Sequence, residues 1–181
     1  MIISTNILRD SADNLEYIVT PNAQRIYSEI ENTLNGKTST YSLIGSYGTG
    51  KSSFLIALES TLRNNVVYFD KRINPKSVGF VKIIGLHNSL RSALATSLKL
   101  KDDSEESIIE ALKVLEDKKS PLVILIDEFG KFIEYSLEHN PKREIYFLQL
   151  LAEHVNSSPS TTLITTLHQN FSAYANSSDT D

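Results

Sequence analysis

Cysteine and tryptophan are absent from the 181 residues, and methionine occurs once. Without cysteine there are no disulfides and no thiolate metal sites, which suits a reducing compartment and argues against a stapled extracellular scaffold. Five prolines and seven glycines are too few for a low-complexity chain. Positive charge is also short: 18 Lys and Arg against 22 Asp and Glu leave a net charge of −4, so no global basic field draws the chain to nucleic acid or anionic lipid. The start, Met1-Ile2-Ile3-Ser4-Thr5, lacks a basic segment ahead of a long apolar stretch and does not read as a secretory signal. The longest apolar runs, 54–58 and 122–126, fall far below the roughly 20 residues of a membrane helix. A cytoplasmic location and no membrane partner are therefore expected. A hydrophobic content of 40% with 22% charged residues is ordinary for one globular domain of this length.

Glycine is scarce but clustered. Three of the seven glycines fall in residues 45–52, Gly-Ser-Tyr-Gly-Thr-Gly-Lys-Ser, which fit Gly-x-x-x-x-Gly-Lys-[Ser/Thr] at every fixed position. In that pattern glycines let the backbone turn its N–H groups inward around phosphate oxygens. The lysine supplies a point charge for the β- and γ-phosphates, and the serine hydroxyl meets Mg²⁺. The flanks have the required order. Residues 40–45 read as a strand, and Phe54, Leu55, Leu58 and Leu62 give the helical spacing that should follow. Gly45, Ser46, Tyr47, Gly48, Thr49, Gly50, Lys51, Ser52 and Ser53 are thus the expected nucleotide-binding residues, with ATP and Mg²⁺ as cofactors. No Asn-Lys-x-Asp motif for guanine is present.

Strands and helices alternate along the rest of the chain. Thr20-Pro21 opens a helix as N-cap and first-turn proline, and Asn35-Gly36 should end it. Further strands are expected at 66–70, 80–84, 122–126 and 161–167. Helices are expected at 88–100, from 103 or 104 to 117, at 129–137 and from 141 to 155. Such alternation argues for a parallel sheet covered on both faces, with ligands at the carboxyl ends of its strands. Residues 1–20 read as an irregular arm that could pack across a nucleotide, 21–175 as the core, and 176–181 as a frayed tail.

One strand ends in two acids: Leu122-Val123-Ile124-Leu125-Ile126-Asp127-Glu128. A strand buried on both faces looks like this, and its charged end falls on the edge where the glycine loop emerges. Asp127 could hold Mg²⁺ opposite Ser52, and Glu128 could polarise the attacking water. The plain alternative is that both acids cap the following helix. Strand 161–167 leads into His168-Gln169, either of which could sense a γ-phosphate, although any strand can end in polar residues. Tyr17 could stack on a base or simply pack. Lys71, Arg72 and Lys76 form a small basic loop that could touch nucleic acid or simply be solvated, Lys142 and Arg143 sit early in a helix where a phosphate or protein partner or plain exposure would explain them, and His87, His139 and His154 lack metal-ligand spacing.

Residues 45–52 and Ile126-Asp127-Glu128-Phe129-Gly130-Lys131-Phe132 resemble Walker A and Walker B of the additional-strand ATPases, the branch holding AAA+, STAND and origin-recognition proteins. The resemblance implies a P-loop NTPase fold, a three-layer α/β sandwich with a mainly parallel sheet, and a sensor strand between the Walker A and Walker B strands. It implies Asp127 as the magnesium residue and Glu128 as the catalytic glutamate. Asp127–Phe132 together with Thr166-Leu167-His168-Gln169-Asn170-Phe171 more narrowly resemble the ATP-binding proteins of BREX-type phage-defence systems. In the family, a further strand beside the Walker A strand, an arginine finger and a helical lid follow the sensor strand. Residues up to 181 do not supply them, so an N-terminal piece of a larger ATPase is expected, with an open edge that favours self-association. Arg143 is not at the finger position. Besides an ATPase module, a nucleotide-gated binding module, a small-molecule kinase and an assembly protein with a relic site remain open readings.

Overall fold

The computed structural model describes residues 5–34, 39–73, 77–119, 121–139, 141–170 and Tyr174. Asn35-Gly36, Lys76 and the tail 176–181 lie outside the described residues, so the helix end, part of the basic loop and the tail expected there are not placed. The elements run α1 (Pro21–Thr33), β1 (Ser39–Ile44), α2 (Lys51–Leu62), β2 (Gly79–Ile84), α3 (Leu90–Ser97), α4 (Glu105–Lys118), β3 (Leu122–Asp127), α5 (Phe129–Glu138), α6 (Pro141–Ser157) and β4 (Thr161–Leu167). Thr20 caps α1, its hydroxyl accepting from the Ala23 N–H, and Ser104 caps α4 in the same way through the Ser107 N–H.

The four strands form one wholly parallel sheet in the order β1-β4-β3-β2. Alternation along β3 divides the core. Val123 and Leu125 face α1, α2 and the arm, where Tyr27, Phe54, Leu55 and Phe69 are buried. Leu122, Ile124 and Ile126 face α3 to α6, where Leu94, Ile108, Phe132 and Phe147 are buried. These two cores make the three layers. Every residue of β3 is buried, as a strand covered on both faces requires.

The expected strand at 66–70 does not form. Its backbone groups are bonded by side chains instead of by a neighbouring strand. Ser60 Oγ both accepts from the Val66 N–H and donates to the Val66 carbonyl, and Thr61 Oγ1 accepts from the Tyr68 N–H. Gln24 brackets Asp70 from both sides. Farther on, the buried Glu31 carboxylate accepts from the N–H groups of Arg72 and Ile73. β-Branched and aromatic composition suits any half-buried extended segment; here that segment crosses α1 and α2 and seats Phe69 flat against Tyr27.

Residues 5–20 pack onto the α2 side. Ile7 is buried, its carbonyl accepts from Lys82 Nζ, and the Tyr68 hydroxyl donates to the carbonyls of Ala12 and Leu15. The two sheet edges differ. At β2, Ser97 Oγ donates to the Lys82 carbonyl, and Lys82 pairs with Glu59. β1 pairs with β4 alone among the described residues.

Candidate nucleotide site

β1 delivers the chain into the glycine loop. The Gly45 N–H donates to the Leu167 carbonyl, which extends the β1–β4 ladder into the loop. Gly48 and Gly50 then take φ of 78° and 82°, the left-handed region that only glycine enters cheaply. α2 starts at once with Lys51, so its first N–H groups and the positive end of its dipole face the loop's interior.

A cavity of about 380 Å³ lies under this loop. Tyr47 to Ser53 line one side, Asp127, Glu128 and His168 another, and Thr5 a third. The lysine–serine end of the loop thus meets the paired acids across one space. A second cavity, about 720 Å³, continues on the other side of Gly48–Lys51 and is lined by Tyr17, Ile18, Thr20, Ala23, Ile26 and Ser42–Gly45. Its size is that of a small-molecule site. Tyr17 lines it while packing edge-on against Tyr68 and Phe69.

Asp127 is held firmly. It is 3% exposed, and its Oδ1 accepts from Thr166 Oγ1 at 2.5 Å and from the Glu128 N–H at 3.1 Å. The Glu128 N–H also reaches Thr166 Oγ1 at 3.0 Å. Oδ2 accepts no hydrogen bond from the described residues, and neither does Ser52 Oγ. This donor set fits Mg²⁺, a hard cation that takes one or two protein oxygens and otherwise keeps water and phosphate ligands. No group of three or more acidic, histidine or cysteine side chains able to hold a metal occurs among the described residues.

Glu128 turns the chain. Its φ of 52° and ψ of 42° are left-handed, a conformation that costs a non-glycine residue about 1 kcal/mol or more. Gly85, after β2, makes the turn possible: a Cβ there would lie 2.2 Å from the Glu128 carbonyl oxygen and 2.8 Å from Lys131 Cβ. The strained turn aims α5 away and leaves the Glu128 side chain half-buried in the cavity under the glycine loop.

Lys51 Nζ donates to the carbonyls of Gly45 (2.5 Å) and Ser46 (2.9 Å) and lies 3.5 Å from His168 Nδ1. Burial holds its ammonium below the usual lysine range, opposed by the nearby charges of Asp127 and Glu128. His168 is likewise held below the usual imidazole range, by burial first and then by the Lys51 charge.

Most of the residues expected from the sequence therefore converge, but Gln169 is exposed and lies outside the cavity lining. Three contributors carry no local motif. Thr166 orients Asp127, and period-two counting along β4 would have put it on the same sheet face. Gly85 clears the Glu128 turn. Tyr174, buried at 3%, bonds the backbone of His168 and Gln169 and sits over Gly130, where a Cβ would lie 2.2 Å from its hydroxyl. Of the histidines set aside as scattered, His87 pairs with Glu138, and His154 is buried beside Glu116. Lys142, Arg143 and Arg72 are exposed. Among the described residues no helix is long and apolar enough to cross a membrane.

No known family and no curated protein matches the chain. Among solved structures it is similar to Drosophila ORC, determined bound to DNA, at 18% identity and a TM-score of 0.53 over 82% of this chain and 37% of that one. It is also similar to Aeropyrum pernix ORC2, determined in ADPNP–ADP complexes, at 14% identity and a TM-score of 0.55 over 86% of this chain and 44% of that one. The chain thus spans less than half the length of either. Both neighbours are AAA+ ATPases, and the architecture shared with them, a parallel sheet between helical layers, is the P-loop NTPase fold.

Proposed function

We propose that the chain is an ATP-binding and ATP-hydrolysing module of AAA+- or STAND-like type that couples nucleotide turnover to conformational change. The observation that carries this reading is the meeting of Lys51 and Ser52 with Asp127 and Glu128 around one cavity. The triphosphate would lie along Gly45–Ser52, with loop N–H groups and the α2 N-terminus around its oxygens. The base and ribose would enter the larger cavity beside Tyr17 and Ile18. Ser52 and Asp127 would hold Mg²⁺, which neutralises phosphate charge when bound. Lys51 would exchange its loop carbonyls for β- and γ-phosphate oxygens. Glu128 would orient a water and take its proton as the water oxygen bonds to the γ-phosphorus and the bridging oxygen leaves with ADP. His168 would donate to a γ-phosphate oxygen.

Calorimetric titration with ATP and a phosphate-release assay test the assignment. Lys51→Ala should abolish ATP binding, and Glu128→Gln should bind ATP while losing turnover. Hydrolysis at the normal rate by Glu128→Gln would overturn the role given to Glu128.

A second reading, a nucleotide-gated binding module with little turnover, is favoured by one feature: no arginine lines the phosphate cavity among the described residues. Phosphate release by this chain, compared with longer versions of the protein, separates the two. β1 pairs with β4 alone among the described residues, an arrangement that supports self-association through strand pairing, which light scattering with and without ATP checks. Phage defence, implied by the likeness of residues 127–132 and 166–171 to BREX-type proteins, belongs to the same reading, as does a cytoplasmic setting. Loss of plaque protection in a Lys51→Ala strain would be the corresponding assay.

A further inference from the structure

The glycine loop carries an aromatic ring at its tip. Tyr47 is 68% exposed, yet one face of it lies on His168, with ring centroids 3.5 Å apart and planes 20° from parallel. The imidazole is therefore held by contacts of two kinds, a ring over its face and the Lys51 ammonium 3.5 Å from Nδ1. An ammonium has three donors and no lone pair, so the nitrogen facing it is the unprotonated one. Burial and the Lys51 charge both disfavour the His168 cation. A neutral imidazole with a bare Nδ1 carries its proton on Nε2. That nitrogen is buried and has no hydrogen-bond partner among the described residues.

A buried N–H without an acceptor is costly and rare in folded proteins. Here the side chain that carries it lines the cavity shared by Lys51, Ser52, Asp127 and Glu128. Nε2 is covered in the ligand-free protein, so an anionic oxygen bound there would supply the acceptor as the loop shifts to uncover it. The backbone beneath His168 is fixed by Tyr174, but Tyr47 provides the stack that sets the plane of the ring.

We propose that Tyr47 is a positioning residue whose ring clamps His168 with Nε2–H directed at the terminal phosphate, and that this clamp lets the site discriminate a nucleoside triphosphate from a diphosphate. The inference rests on the ATP reading of the same cavity. It assigns Tyr47 no contact with the reacting atoms. It makes the flat face of residue 47 the determinant, with no part for its hydroxyl.

The test uses the whole chain with Tyr47→Ala and Tyr47→Phe. Calorimetry with Mg-ATP and Mg-ADP gives the affinity ratio, phosphate release gives kcat and KM, and NMR of the ligand-free protein gives the His168 ring proton shifts. Tyr47→Ala should lower the ATP-to-ADP affinity ratio about tenfold, or about 1.4 kcal/mol. It should also reduce kcat more than it changes KM and release the His168 protons from the tyrosine ring current. Tyr47→Phe should keep the wild-type ratio and shifts. An unchanged ratio in Tyr47→Ala would overturn the clamp while leaving ATP binding intact. Equal losses for ATP and ADP would reduce Tyr47 to a loop-shaping residue, and failure of Tyr47→Phe would transfer the role to the hydroxyl; both refute the stacking account. A wild-type chain that binds neither nucleotide would overturn the ATP reading and this inference together.

Discussion

Replacing Thr166 with valine removes one hydroxyl from a carboxylate that has already given up nearly all of its water. Thr166 is fully buried, and its Oγ1 both donates to Asp127 Oδ1 at 2.5 Å and accepts from the Glu128 N–H at 3.0 Å. Valine keeps the shape and the β-propensity, so strand geometry is preserved. The Glu128 N–H retains Asp127 Oδ1 at 3.1 Å, so the main loss is the bond to the charged group. Hydrogen bonds to charged groups contribute about 1.5–3 kcal/mol, which puts the expected destabilisation near 2 kcal/mol. For a chain of this length that is a drop in Tm of about 4–8 °C. Thr162→Val is the internal control. Thr162 is on the same strand and the same sheet face and is 1% exposed, but its Oγ1 has no hydrogen-bond partner among the described residues. Removing an unsatisfied hydroxyl should leave stability unchanged or raise it by about 1 kcal/mol. Thermal melts of the two variants measure the contrast, and ATP titrations with Mg²⁺ or with EDTA show whether Asp127 has lost its aim. Thr166→Val should lose affinity in Mg²⁺ selectively. Equal melting temperatures for the two variants would refute the role of the Thr166–Asp127 bond.

Gly85→Ala should cost about 1–3 kcal/mol through the clash with the Glu128 carbonyl and should lower phosphate release more than ATP binding, because the Glu128 turn must shift. Wild-type melting temperature and turnover in this variant would show the turn to be compliant. Arg91 and Glu144 form a buried ion pair joining α3 to α6, so Arg91→Met alone should destabilise by about 3–5 kcal/mol, while Arg91→Met with Glu144→Met should recover most of the loss; denaturant unfolding reads both. Ligand-free stability should fall as pH drops through about 6.5, since the unfolded His168 takes up a proton there that its depressed folded counterpart does not. His168→Gln should flatten that limb between pH 7 and 5.5, and an unchanged slope would assign the limb to other groups.

The residues whose task is local were legible along the chain. Gly48 and Gly50 are needed because the loop takes positive φ at those positions, and the lysine and serine follow within two residues. The buried strand was legible because a strand covered on both faces cannot alternate polar and apolar residues. The segment 66–70 was misleading for a related reason. Its composition asks for an extended, half-buried backbone, and whether a strand or a set of side chains completes its hydrogen bonds depends on Ser60, Thr61 and Gln24, which belong to other elements. Gly85 and Thr166 were silent because each acts on a group about 40 residues away in the chain, the Glu128 backbone carbonyl and the Asp127 carboxylate.

Residue order by itself therefore determined the glycine-rich loop, the apolar strand with its terminal acids, and the layered α/β class, all of which follow from backbone dihedral limits and side-chain periodicity within short windows. Only the tertiary structure decided that Thr166 anchors Asp127, that Gly85 lies against the Glu128 turn, and that Tyr47 rests on His168. Those pairings bring together groups distant in the chain. Their geometry is set by sheet register and by which buried polar atoms must find partners, and neither is encoded in any one stretch of residues.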